Sequence, residues 1–194
     1  MSVEGSKELL YKLSSLEESI ANDIVLKAVK RADLMVQEQA RLLCPFETRN
    51  LRRSILTKET LKNSKVIGSV YTNLDYAQYV EFGTGPKGNN NHEGISPNIT
   101  PRYSLTGWMI PVGHISQSDA EKYHFIPVEK NGVIIGWYTM GQAAKPFLYP
   151  ALKNNEDIIR NSISKYIQKS LREICKKWLI LKILSMRKFL KSMI

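Results

Sequence analysis

From Glu8 to Leu43 apolar residues recur at helical spacing: Leu9, Leu13, Leu16, Ile20, Ile24, Ala28, Ala32 and Met35. Charges fill the gaps and neither glycine nor proline interrupts the run, so the pattern predicts one or two amphipathic helices. Ser15 and Glu18 have capping-box spacing, which would divide the region into a short helix and a long one. Pro45 disfavours helical geometry at the residue before it and should end the helix near Cys44. The polarity period then shifts to two. "SILTKET" and "KVIGSVYT" alternate, carry β-branched residues and flank "LKNS", which predicts a hairpin.

"YAQYVEFGTGPKG" predicts a short helical turn stopped by Gly83 and Gly85, and "PKGNNNHEGISPNITP" a mobile surface loop over about 86–101. "GWMIP", "YHFIPV" and "GVIIGWYT" are further strands, with a small helix capped by Ser118 and Glu121 among them. "KPFLYPAL" leads into a final helix whose stripe runs through Ile159, Ile163, Ile167, Leu171 and Cys175. It continues at 4-3-4-3 spacing through Leu179, Ile183, Met186, Leu190 and Met193, and such a stripe calls for an apolar partner. The order of helix, strands and helix predicts an α+β fold, with the N-terminal and C-terminal helices packed on a mainly antiparallel sheet. Residues 1–175 read as one domain and 176–194 as a basic amphipathic helical tail.

Composition changes this picture in one respect. The chain has 194 residues and a net charge of +10, but six of its 28 Lys/Arg lie after Cys175: Lys176, Lys177, Lys182, Arg187, Lys188 and Lys191. No acid lies there. Setting those six aside, 28 − 6 leaves 22 bases against 18 acids, only +4. The excess is a tail property, and the tail is a candidate partner-binding segment: it could pack on a neighbouring subunit with its basic face in water, coat a membrane surface or lie along nucleic acid. "WLILKIL" is broken by Lys182 and is far shorter than the roughly 20 apolar residues of a membrane span. The polar-interrupted opening "MSVEGSKELLYKL" carries no secretory pattern, so the Asn98-Ile99-Thr100 sequon is read as unmodified.

Catalytic and metal-binding patterns are missing. His92, His114 and His124 lie in separate segments without metal-ligand spacing, and "EFGTGPKG" fits neither phosphate-loop pattern. Cys44 and Cys175 lie on apolar helical positions and read as buried, idle thiols in a reducing compartment. Neither an enzymatic function nor a cofactor nor a metal is expected. Arg49, Arg52 and Arg53 lack the aromatic platform of a nucleic-acid site and read as solvated or paired with carboxylates.

Three separated stretches carry a resemblance. "CPFETRNLRRSI" after a long helix, then "YAQYVEFGTGPKG", then "KPFLYPALKNN" are similar to the motifs of the tail-completion or head-tail joining proteins of long-tailed bacteriophages, the gene-ten tail-component family of phage HK-ninety-seven. The resemblance covers about residues 20 to 170. Its motif residues here are Thr48, Asn50, Leu51, Arg52, Tyr76, Glu81, Phe82, Gly83, Thr84, Gly85, Pro146, Phe147 and Pro150, expected to act in architecture or subunit contact. Thr48 and Asn50 would bond backbone groups freed where helix gives way to strand, and Leu51 and Ile55 would enter the core. Tyr76, Tyr79, Val80 and Phe82 would supply apolar contacts. Glu81, an ionised group among apolar neighbours, would pair with Arg52 or Arg53. Arg49 stands where the family pattern has glycine, which would cost on the order of 1 kcal/mol if the position needs positive φ.

The resemblance implies a virion structural protein of the neck, assembled in the bacterial cytoplasm and encoded by a phage or prophage. It would act in tail completion or head-tail joining through protein contacts, as a homo-oligomeric ring between a head-side connector or stopper and the tail terminator. DNA contact would be secondary. The competing reading is a basic DNA-binding protein acting through the C-terminal tail.

Overall fold

The computed structural model describes residues 6–45, 49–63 and 65–191. It has the α+β character expected, with a long helix near each end and antiparallel sheets between them in sequence. Contacts divide the chain into two compact units. The first comprises residues 1–38, 56–70 and 155–194, and the second 39–55 and 71–154.

Helix α1 (Ser6–Leu43) is continuous. Glu18 therefore lies inside the helix, and the expected break at Ser15 does not occur. In the first unit its buried face runs through Ile24, Ala28, Ala32 and Val36, with Asp33 and Gln37 beside them. These four positions follow one another at intervals of four residues and two are alanine, so a neighbouring backbone can approach closely. Ile20, read as part of the stripe, is exposed. Strands β1 (Ile55–Lys62) and β2 (Lys65–Thr72) form the predicted hairpin. Thr57 and Glu59 of β1 and Val66, Gly68 and Val70 of β2 are less exposed than the residues alternating with them. Gly68 is fixed by packing, because a Cβ there would collide with the Asp33 carboxylate.

The last long helix, α7 (Glu156–Lys191), also belongs to the first unit. Ile159, Ser162, Ile163, Tyr166, Ile167 and Ser170 are its half-buried positions, and the Arg31 guanidinium lies 5.1 Å from the centre of the Tyr166 ring. From Leu171 to Lys177 every residue is exposed, Cys175 included. Cys175 is thus a solvent-facing thiol rather than the buried one its stripe position predicted.

In the second unit, helix α2 (Arg49–Ser54) precedes β1. Three strands form an antiparallel sheet in the order β3 (Trp108–Pro111), β5 (Val133–Thr139), β4 (Ile126–Lys130). Trp108 pairs with Thr139 and Ile126 with Tyr138. Asn131 and Gly132, both at positive φ, turn β4 into β5, as a two-residue hairpin of this twist demands. Helix α5 (Gln117–Lys122) is capped by Ser116, whose Oγ accepts from the Asp119 N–H at 3.1 Å. The cap is two residues earlier than the Ser118 expected. Among the described residues, Phe147, Leu51 and Ile55 are the largest fully buried side chains.

Candidate functional site

The three motif stretches converge in the second unit. Cys44, Leu51 and Ile55 from the first stretch are buried, and the latter two enter the core as expected. Instead of opening directly into strand, the chain makes one helical turn first. Arg49 opens α2, a right-handed turn that imposes no positive-φ penalty on arginine. Asn50 is exposed, Arg52 half-buried, and Thr48 lies outside the described residues. Two arginines stitch this turn to neighbouring backbone. Arg41 Nη2 donates to the Ile55 carbonyl at 3.0 Å, and Arg52 Nη2 to the Cys44 carbonyl at 3.5 Å. Ser54 Oγ donates to the Leu51 carbonyl at 2.8 Å and lies 2.6 Å from Thr72 Oγ1.

The second stretch forms α3 (Ala77–Phe82) and α4 (Gly85–Asn90). Only Ala77 and Glu81 are buried on α3. Tyr76 and Tyr79, expected as apolar anchors, are exposed, and Val80 and Phe82 are half-buried. Gly83 has φ +77°, and a Cβ there would lie 2.7 Å from the Ala144 nitrogen, so the chain can leave α3 at this angle only with glycine. The segment after Gly85, read as loop, begins as helix. Extended Thr84 and the early Pro86 start it, and it is tied down by Lys87 N–H to Met140 O at 3.1 Å and Ala144 N–H to Asn91 O at 3.0 Å. Farther on, Tyr103 donates to the Phe82 carbonyl at 2.6 Å and stacks on His92, with 5.6 Å between ring centres.

Glu81 is the centre of the junction. It is 4% exposed, and its carboxylate accepts from the backbone N–H groups of Phe147 at 2.7 Å, Leu148 at 2.9 Å and Tyr149 at 3.0 Å. These are the free N–H groups at the start of α6 (Leu148–Lys153), which have no acceptor within their own helix. Phe147, at the N-cap position, makes no side-chain cap of its own. Glu81 therefore supplies the cap from 66 residues away. The carboxylate neutralises the positive helix end and saturates three donors at once. The expectation from sequence paired Glu81 with Arg52 or Arg53; the donors that the structure adds are these backbone N–H groups, which reach both carboxylate oxygens. Pro146 and Pro150 flank the capped segment and are half-buried, and Phe147 beneath it is fully buried.

Cys44 lies in the field of both groups. Burial pushes its thiol pKa up, Arg52 pulls it down and Glu81 raises it further, so the thiol stays protonated and poorly nucleophilic. Among the described residues no three His, Cys, Asp or Glu side chains are grouped to hold a metal ion, and no helix is long and apolar enough to cross a membrane. Of the tail cations, Lys176 and Lys177 are exposed. Lys182, Arg187, Lys188 and Lys191 lie on the helical backbone of α7, with side chains outside the described residues.

The junction thus explains why the second and third stretches occur together: one provides a carboxylate, the other the donors it caps. The arrangement holds the start of α6 in place. Nothing matches the chain among curated proteins or among solved structures. Over residues 7–83, from α1 to the glycine that ends α3, the sequence matches the model of the family described as Bacteriophage HK97-gp10, putative tail-component, the family its motifs resemble.

Proposed function

We propose that this protein is a structural component of a phage virion, built into the neck, where it completes the tail and joins it to the head. The observation that carries this reading is the match of residues 7–83 to a tail-component family, which points to other tail proteins as partners. The third motif, which lies beyond the matched segment, is bound to it by the Glu81 cap. That link is why the reading extends to residues 84–154. The protein works by docking copies of itself in a ring against a head-side connector and the tail terminator, without turnover. The exposed start of the basic tail, Lys176 and Lys177, is a further docking segment.

Electron microscopy of particles from the parent phage or prophage lacking this reading frame tests the proposal. Filled heads beside separate tails are expected, with joining restored by the intact chain in trans. Intact, infectious virions would overturn it.

A further inference from the structure

A cavity of about 510 Å³ opens in the second unit between α4, the β3 and β5 strands and the end of α5. Trp108, Ile110, Tyr123 and Phe125 give it an apolar wall, and Lys87 and Lys145 stand at its edge. None of the described residues lining it is an acid. Its volume falls within the range of pockets that take a drug-sized ligand, room enough for a side chain and its neighbouring backbone.

The frame around both lysines is fixed. Lys87 N–H donates to Met140 O, Lys145 N–H donates to Val80 O at 2.8 Å, and Thr84 and Gln142 pair as a β-bridge between them. Their side chains are exposed and, among the described residues, make no ion pair. A third ammonium, Lys122 Nζ, sits 5.1 Å from the centre of the Tyr123 ring. The acids of α5 are engaged along their own helix: Asp119 accepts from Ser116 Oγ at 2.6 Å and Glu121 from Gln117 at 2.8 Å.

We propose that this cavity docks an acidic peptide segment of a partner protein, an aromatic or aliphatic side chain entering the apolar wall and flanking carboxylates meeting Lys87 and Lys145. Charge complementarity selects this occupant, because an apolar pocket edged by cations alone favours an apolar anchor with neighbouring negative charge. A nucleic-acid strand is a poorer fit. It is gripped by a row of cations along successive phosphates, whereas here a few lysines stand around a single apolar cavity. The inference rests on the preceding reading only in taking the partner to be a protein.

The test is a titration of the full chain with acetyl-Glu-Phe-Glu-amide, followed by the NMR signal of the Trp108 indole N–H. Acetyl-Gln-Phe-Gln-amide and an oligothymidylate of eight nucleotides are titrated in parallel. Saturable shifts with the acidic peptide are expected, at least tenfold tighter than with the neutral one and weakened about tenfold in each of Lys87→Glu and Lys145→Glu. Circular dichroism of both variants should match the parent chain, since both side chains are exposed. No shift at millimolar peptide, equal binding of the neutral peptide, or tighter binding of the oligonucleotide at the same signal would each overturn the proposal. The titration uses purified protein, so its failure leaves the particle phenotype to be judged separately.

Discussion

Each unit of the molecule buries a carboxylate, and the two are treated in opposite ways. Glu81 in the second unit accepts three backbone N–H groups, the protein replacing the water that the carboxylate lost. Asp33 in the first unit is 8% exposed, and its Oδ2 has no hydrogen-bond partner. Glu59 nearby has a similarly unpartnered Oε1. Burial, and then the Glu59 charge, push the Asp33 pKa up from 3.8 to about 6. The same chemical group is a structural fastener where donors meet it and a destabilising charge where they do not.

The largest effect should come from removing the fastener. Glu81→Ala leaves three N–H groups at the start of α6 without an acceptor and is expected to cost about 3 to 5 kcal/mol, read from urea unfolding. A loss under about 1 kcal/mol would mean that water solvates that helix end and the contrast with Asp33 is false.

The opposite sign is expected at Asp33. Between pH 3.8 and about 6 the native state holds a proton that the unfolded chain releases, so this contribution to stability is present at low pH and lost as pH rises. A shift of this size corresponds to at most about 3 kcal/mol. Asp33→Asn should therefore stabilise the protein by about 2 kcal/mol at pH 8 and by little at pH 4. Equal effects at both pH values would show that Asp33 is not a buried charge at neutral pH.

A smaller effect calibrates the first. Ser116 caps α5 with a neutral oxygen at an exposed site, and Ser116→Ala should cost about 1 kcal/mol. A cost equal to that of Glu81→Ala would remove the distinction between a local cap and one that joins distant motifs.

The sequence pattern disclosed the α+β class, the hairpin, the three strands of the second sheet and the places where Leu51 and Ile55 enter the core, because each depends on local periodicity or a nearby stop signal. It also singled out Glu81 as a charged group among apolar neighbours. It did not reveal Glu81's partners. Backbone N–H groups carry no residue-type signature, and a proline-flanked helix start 66 residues away looks like any other. The arginines nearby are the cations that a sequence displays, whereas the backbone donors are not displayed. Residues 85–90 look like loop because proline, glycine and asparagine dominate them, whereas bonds to Met140 and, from Asn91 just after them, to Ala144 tie the helical turn down. The α7 stripe was legible as periodicity, but periodicity does not say where along a helix its partner stops. Asn131-Gly132 is a hairpin-turn signal that the sequence does carry.

The central claim is that Glu81 binds the N–H groups that open α6. Amide hydrogen exchange at Phe147, Leu148 and Tyr149, compared between the parent chain and Glu81→Gln with Asp33→Asn as a control, tests it most directly. Protection at these three amides should fall at least tenfold in Glu81→Gln and stay unchanged in Asp33→Asn. Unaltered protection in Glu81→Gln would contradict the claim.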